Sequence, residues 1–476
     1  MIKVLSVTSE AHPFVKTGGL ADVAGALPLA LAGAGVDMRV MLPGYPVVMD
    51  RVGRTKPVLE FPDLFGGTAL VLSSQSAGLN MLVLDAPHLF DRPGAIYAGP
   101  NGHDWPDNPE RFAALSWAAA QIAAEGLPGW IPDILHGHDW QAGLAPYYLK
   151  THFGAAKPSV LTIHNIAFHG IAPPARLDDL KLARADFTQT GFEFWGNASA
   201  LKAGLVWADR LTTVSPTYAR ELTREEFGMG LDGVIRTRLG DLTGILNGID
   251  TEIWNPVADP LIAHTYKTPR GKARNKAALR AEFGLEDSEG PLCVVVSRLT
   301  QQKGFDLLLG ALPALVDNGG QLALLGTGDP EIEAEFRKAA RHRNVSVHIG
   351  YDEALSHRMM AGGDAILIPS RFEPCGLTQL YGLRYGTVPV VALTGGLADT
   401  VINASSAGLA AKAATGIQFH PVTTDALAAA LMDVVALYRN TKDWAAMQRR
   451  AMVHPVGWER SASAYAALYQ DLLRAS

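Results

Sequence analysis

Between residues 292 and 401, short apolar runs alternate with segments of helical apolar spacing. The runs lie at 292–296, 322–325, 345–349, 365–369 and 388–392. Helical segments follow at 305–315, 331–341, 353–361 and 377–385, and another opens at Thr394. A chain that repeats strand, loop and helix in this way lays its strands parallel, because the crossover returns each strand to the same direction. The first half repeats the grammar. Strands are expected at 2–9, 38–42, 70–72, 81–84, 133–136, 160–163 and 207–214, and helices at 21–34 and 110–125. Another helix starts at Ser215-Pro216, with serine as N-cap and proline at the first helical position. Composition shifts around 251–291, with Pro256, Pro260, Pro269 and a cationic helix at 272–280. A hinge is therefore placed at about 244–250. The expected fold class is α/β, with two doubly wound, Rossmann-like domains facing each other across a cleft.

In open parallel sheets, ligands bind beyond the carboxyl ends of the strands, so the strand-end loops are where chemistry is sought. The loop Ser370-Arg371-Phe372-Glu373-Pro374-Cys375-Gly376-Leu377-Thr378-Gln379 offers a carboxylate, Glu373, beside the amides of a new helix. Helix N-termini attract anions, phosphate above all. The loop after 292–296 supplies Arg298 and Lys303, five apart, a spacing that suits a diphosphate clamp. Gly326-Thr327-Gly328-Asp329 and Thr394-Gly395-Gly396-Leu397 are further glycine turns. In the first half, Lys16-Thr17-Gly18-Gly19-Leu20 joins strand to helix. Its paired glycines let backbone approach a ligand, and Lys16 adds a mobile cation. It is neither the dinucleotide signature nor a Walker loop. His136, His138, Asp139 and His164 end successive strands. No metal-ligand spacing recurs among them, so hydrogen bonding to a polar ligand is the preferred reading. The loop 91–108, rich in Gly, Pro and Asp and carrying Tyr97 and Trp105, suits a wall or lid.

Composition narrows the class. There are 41 basic and 47 acidic residues, a formal net charge of −6, which gives no basic surface for nucleic acid. Two cysteines, Cys293 and Cys375, exclude a disulfide framework and a cysteine-only zinc site. Cys293 reads as inert core and Cys375 as open to a ligand. No apolar run is long enough to span a membrane, and the N-terminus lacks a signal-peptide core. A cytoplasmic protein is expected, with no membrane partner.

The motifs K-T-G-G-L-A-D-V-A-G-A-L-P (16–28), H-G-H-D-W-Q-A (136–142), T-I-H-N (162–165), L-K-A-G-L (201–205), V-S-P-T-Y-A (214–219), N-G-I-D-T-E-I-W-N-P (247–256), S-R-L-T-Q-Q-K-G (297–304), P-S-R-F-E-P-C-G-L-T-Q (369–379) and T-G-G-L-A-D-T-V (394–401) span nearly the whole chain. Together they resemble the glycosyltransferase family 5 enzymes, the bacterial glycogen synthases and plant starch synthases. The resemblance implies the GT-B fold, with residues 1–243 on the glucan-acceptor side and 244–456 on the ADP-glucose donor side. A C-terminal helix within 457–476 would pack back on the first domain. It implies retaining transfer of glucose from ADP-glucose to the 4-hydroxyl at the non-reducing end of glycogen or another α-1,4-glucan. No metal and no cofactor are expected, because Arg298 and Lys303 would neutralise the departing ADP.

The resemblance also assigns roles. Lys16, Gly18 and Gly19 would reach the same phosphates. Glu373 would hold sugar hydroxyls, and His164 would lie by the anomeric carbon. Asp22, Asp139 and Asn247 would contact the donor or its sugar, while Cys375, Gly376, Leu377 and Thr378 would line the glucose and phosphate site. Attack from the face of departure is expected, with Glu373 as covalent nucleophile the alternative. Phe194-Trp195-Gly196-Asn197 departs from the family pattern of an aromatic pair next to Asn, on the acceptor side. Other readings are a related GT-B transferase or phosphorylase, a non-catalytic glucan-binding protein, and a nicotinamide oxidoreductase. For the first of these no pyridoxal lysine is identifiable; the second would be expected to lose Arg298, Lys303 or Glu373; the third lacks its glycine signature.

Overall fold

The apolar runs of the first half pair into a nine-stranded sheet in the computed structural model, which describes residues 1–475. In chain order the strands are β1 (Ile2–Val7), β2 (Val36–Pro43), β3 (Lys56–Phe61), β4 (Ala69–Ser76), β5 (Leu79–Asp85), β6 (Ile134–His138), β7 (Ser159–Ile163), β8 (Ile171–Ala172), β9 (Glu193–Phe194), β10 (Asn197–Ser199), β11 (Arg210–Thr213) and β12 (Leu242–Gly244). The sheet runs β12-β11-β7-β6-β1-β2-β5-β4-β3, while β8, β10 and β9 form a small antiparallel sheet of their own. From β12 to β5 the pairing is parallel, as the strand–helix grammar requires.

The far edge differs from expectation. β5, β4 and β3 pair antiparallel. Between β4 and β5 sit Ala77 and Gly78, at φ 51° and 77°. Two consecutive positive φ values make a primed hairpin turn, which sends the chain straight back. Asn-Gly is the usual signature of such a turn, and Ala-Gly does not advertise it. The strand expected to begin at Trp207 begins at Arg210 instead, because Trp207 still belongs to helix Ala200–Trp207.

The chain divides into two compact units, Met1–Asn247 with the segment from Trp458 onward, and Gly248–Gly457. In the first, the helix Glu459–Ala475 buries Tyr465, Tyr469 and Leu472 against Val4, Val23, Leu27 and Ile134. Each fully buried aliphatic side chain contributes roughly 1.5–3 kcal/mol.

The second unit holds β13 (Leu292–Val296), β14 (Gln321–Gly326), β15 (Val345–Ile349), β16 (Ala365–Ile368), β17 (Val388–Ala392) and β18 (Ile417–Phe419). They form an all-parallel sheet in the order β15-β14-β13-β16-β17-β18. Strand order reverses between β13 and β16. A crevice opens at such a switch point, beyond the carboxyl ends of the two central strands. In the first unit the corresponding reversal lies between β1 and β6. These two switch points decide which loops carry the candidate site.

Candidate active site

In the second unit, the loops after β13 and β16 flank the crevice. Lys303 Nζ donates to Glu373 Oε2 at 2.6 Å, and Ser370 Oγ donates to the same oxygen at 2.8 Å. The two charged side chains are 15% and 11% exposed, so little water competes for either. Glycines allow this packing. Gly304 has φ 69°, and a Cβ there would stand 2.0 Å from Pro369 O. Gly395 has φ 45°, and its Cβ would stand 1.9 Å from Glu373 O. The neighbouring Gly396 N donates to Glu373 O and Pro374 O, fixing the backbone that presents the carboxylate. Gln379 Nε2 donates to Cys375 O and Gly376 O, which orders the turn into helix Thr378–Tyr385.

Lys303, Ser370, Glu373, Gly376, Leu377 and Thr378 line one pocket. Cys375 is buried rather than open to it. Arg298, on the first of these loops, is exposed, and its guanidinium makes no hydrogen bond or ion pair among the described residues. Arg371 points elsewhere, forked onto Asp306. The structure thus joins Lys303 to Glu373, which the sequence had assigned separate tasks, and leaves Arg298 as an unneutralised cation.

In the first unit, the loop after β1 is organised by a residue that sequence reasoning missed. The Glu10 carboxylate, 4% exposed, accepts from Thr17 N at 2.5 Å, Thr17 Oγ1 at 2.9 Å and Gly18 N at 3.2 Å. Burial raises its pKa, and the bonds from Thr17 and Gly18 oppose that rise. Two backbone amides expected to face a ligand are therefore turned onto an internal acid. Lys16, expected to be a mobile cation, pairs with Asp22 at 2.7 Å. Gly18 and Gly19 begin helix Gly19–Ala32 beside them. An acid directly past the first strand was the available signal for Glu10.

At the end of β6, Asp139 sits at φ 54° and ψ −165°, outside the left-handed helical well and in a region that costs any non-glycine residue energy. Its Oδ1 accepts from His164 N at 2.6 Å and Asn165 N at 3.2 Å, so it ties two strand ends together. Burial lifts its pKa from 3.8 to about 7. Below it lies a buried chain of rings. His138 bonds Ser6 Oγ and the His164 ring, each at 3.0 Å. His136 bonds Tyr469 Oη at 2.7 Å and Thr162 Oγ1 at 2.6 Å. Burial lowers the pKa of all three histidines, so each ring is neutral at pH 7, able to donate from one nitrogen and accept at the other. Both nitrogens of His136 and of His138 have protein partners. Among the described residues no group of three or more His, Cys, Asp or Glu side chains converges as a metal site would. Strand β6 runs through His138, two residues further than expected.

Asn247 closes the first unit, 8% exposed, and its Oδ1 has no hydrogen-bond partner among the described residues. The loop 91–107 is pinned rather than free: Tyr97 Oη meets Ser9 Oγ at 2.7 Å, and Asn108 and Arg111 hold the Tyr97 and Ile96 carbonyls.

Two Rossmann-like units with chemistry-bearing loops at their switch points define a GT-B glycosyltransferase. Residues 3–237 match the family model of the starch synthase catalytic domain, and residues 278–451 match that of glycosyl transferases group 1. A glycogen synthase from Paracoccus denitrificans is 62% identical, the match covering 99% of this chain and 100% of that one. One from Jannaschia is 59% identical over the full length of both. The solved catalytic domain of starch synthase IV from Arabidopsis thaliana, bound to ADP and acarbose, superposes with a TM-score of 0.87 at 30% identity, covering 99% of each chain. A sucrose-phosphate synthase from Thermosynechococcus elongatus shares the fold, with a TM-score of 0.61 at 20% identity and full coverage of both chains. The chain belongs to the glycogen synthase family.

Proposed function

We propose that the protein transfers glucose from ADP-glucose to the 4-hydroxyl at the non-reducing end of an α-1,4-glucan, retaining the anomeric configuration and releasing ADP. The carrying observation is the 62% identity to a glycogen synthase over 473 residues. In this reading the second unit takes the donor and the first the glucan. Arg298 and Lys303 neutralise the diphosphate, with Lys16 and Gly19 as further phosphate contacts and Gly18, its amide held by Glu10, shaping the loop that presents them. Cations aimed at a leaving phosphate stabilise the transition state more than the ground state, because charge builds there as the bond breaks.

The Lys303–Glu373 pair gives this a sequence of events. An arriving diphosphate competes for the ammonium and frees Glu373 for sugar hydroxyls. His164 lies by the anomeric carbon, Asp22, Asp139 and Asn247 serve the donor or its hydroxyls, and Cys375, Gly376, Leu377 and Thr378 shape the glucose and phosphate pocket. The bond from the anomeric carbon to the phosphate oxygen breaks while acceptor O4 bonds on the same face. The O4 proton passes to that phosphate oxygen, so neither a covalent intermediate nor a metal is required. Both cysteines are buried, and among the described residues no helix is long and apolar enough to cross a membrane, which suits the cytoplasm.

The test is incorporation of labelled glucose into glycogen from ADP-glucose and, separately, UDP-glucose, with a chelator present, for wild type and Lys303→Ala. Activity from ADP-glucose that survives chelation and collapses in the variant is expected. No incorporation from either donor by folded protein would overturn the assignment.

A further inference from the structure

Lys272 opens helix Lys272–Phe283 of the second unit and is 4% exposed. Its ammonium faces five oxygens: Ala361 O and Thr387 Oγ1 at 2.8 Å, Met360 O at 3.0 Å, Tyr385 O at 3.1 Å and Tyr266 Oη at 3.4 Å. All five are neutral. Burial lowers the Lys272 pKa to about 7, opposed in part by the charge of Asp364, which itself bonds Lys276 at 2.6 Å. Burying an ammonium without a carboxylate is costly, and the cost is offset only where many oxygens replace its water.

The location of the cage gives it meaning. Met360 and Ala361 end helix Glu353–Gly362, and Tyr385 ends helix Thr378–Tyr385. The last carbonyls of a helix have no partners within it and carry the negative end of its dipole. One ammonium therefore caps two helices at once.

Helix Thr378–Tyr385 is the one whose N-terminus, with Gly376 and Leu377, lines the pocket beside Glu373. It has eight residues, so its two ends are only about 12 Å apart and move together. Further fastenings come from the same stretch of chain as Lys272, beside the packing of Leu380 and Leu383 with Ala451 and the bond from Gln379 to Thr400 Oγ1. Tyr385 Oη donates to Asp259 Oδ2 at 2.5 Å, and Tyr266 Oη donates to Tyr385 O at 2.8 Å. Trp254 stacks between Tyr381 of that helix and His357, with ring centroids 3.7 Å and 3.8 Å away.

We infer that Lys272 is a positioning residue for the donor pocket, holding the C-terminal end of the helix whose N-terminal end contacts the donor. Lys272 touches no substrate. It fixes where Gly376, Leu377 and Thr378 stand relative to Lys303 and Glu373, so its loss is read in donor binding rather than in acceptor binding. The inference rests on the donor assignment above.

Lys272→Ala removes the atoms of an n-propylammonium ion and leaves the oxygen cage. The measurements are KM for ADP-glucose, KM for glycogen, ADP affinity by titration calorimetry, and all three again with n-propylammonium added. A rise in donor KM and a loss of ADP affinity on the order of tenfold or more is expected, since small misplacements of binding groups are amplified in rate and affinity. KM for glycogen should stay unchanged, and n-propylammonium should restore the donor terms saturably without affecting wild type. A merely structural lysine would lower the melting temperature and leave the donor terms of folded protein alone; that result overturns the inference, as does an absence of rescue. If Lys272→Ala does not fold, Thr387→Val keeps the ammonium and removes one oxygen. A smaller, selective rise in donor KM then supports the inference, and an unchanged donor KM refutes it. Wild type that neither binds ADP nor uses ADP-glucose would refute the donor assignment instead.

Discussion

Replacing Glu373 by Gln alters one charge in the pocket proposed for the donor and keeps its shape. In the native protein, Oε2 receives both Lys303 Nζ at 2.6 Å and Ser370 Oγ at 2.8 Å. Removing one partner of a fully buried ion pair costs about 3–5 kcal/mol, and of an exposed pair about 0–1 kcal/mol. At 15% and 11% exposure this pair lies nearer the buried limit. Gln leaves the ammonium a neutral oxygen to bond, however, and the lysine keeps a path to water. A loss of about 1–2 kcal/mol follows, which lowers the melting temperature of a unit this size by about 2–8 °C. The effect on turnover should be larger. A preorganised hydrogen-bonding group at a site of developing charge supplies about 2.7–4 kcal/mol, so kcat should fall by about 10²–10³-fold. Calorimetry and initial rates from ADP-glucose measure the two. Lys303→Met and the double variant complete a cycle, with an expected coupling of about 1 kcal/mol or more. A coupling near zero would mean the pair is not formed, and a kcat within about threefold of wild type would remove Glu373 from the transition state.

Glu10→Ala unfastens Thr17 and Gly18; transfer efficiency should drop by about tenfold, since each charge-assisted bond is worth roughly 1.5–3 kcal/mol, and rates against donor concentration check it. Asp139 has a raised folded-state pKa, from 3.8 to about 7. The stability tied to it is full below the unfolded value and is lost as pH rises through about 7. Asp139→Asn should therefore flatten the decline in melting temperature between about pH 4 and pH 7, which thermal scans across that window will show. Gly395→Ala sets a methyl 1.9 Å from Glu373 O at a positive φ. It should cost about 1–3 kcal/mol and depress kcat through the displaced carboxylate, with denaturant unfolding and rates as the paired readouts.

Much of the second unit was legible in the sequence because a parallel sheet covered on both faces writes its strands as unbroken apolar runs. The runs at 292–296 and 388–392 match β13 and β17 residue for residue, and the alternating Val345–Ile349 matches the edge strand β15. The edge of the first sheet was not legible, since β3 is half-exposed and the Ala77-Gly78 turn lacks the residues that mark a hairpin. In the candidate site, the reactive residue types were legible and their pairings were not. Lys303 meets Glu373 across seventy positions, and Glu10 takes amides that a local reading leaves free for a ligand. Such choices depend on burial: an acid denied water seeks the nearest donors, and only the folded chain shows which those are. Lys272 was likewise read only as part of a cationic helix, whereas its side chain is buried.

The central claim is retaining glucosyl transfer from ADP-glucose to a glucan end. The most direct measurement is time-resolved proton NMR of the protein with ADP-glucose and a short linear α-1,4-glucan. The account predicts new α-1,4 anomeric signals growing in step with ADP, with α configuration from the first turnovers and no free glucose. Early β-anomeric product, release of free glucose in place of chain growth, or an unchanged donor spectrum with folded protein would contradict it.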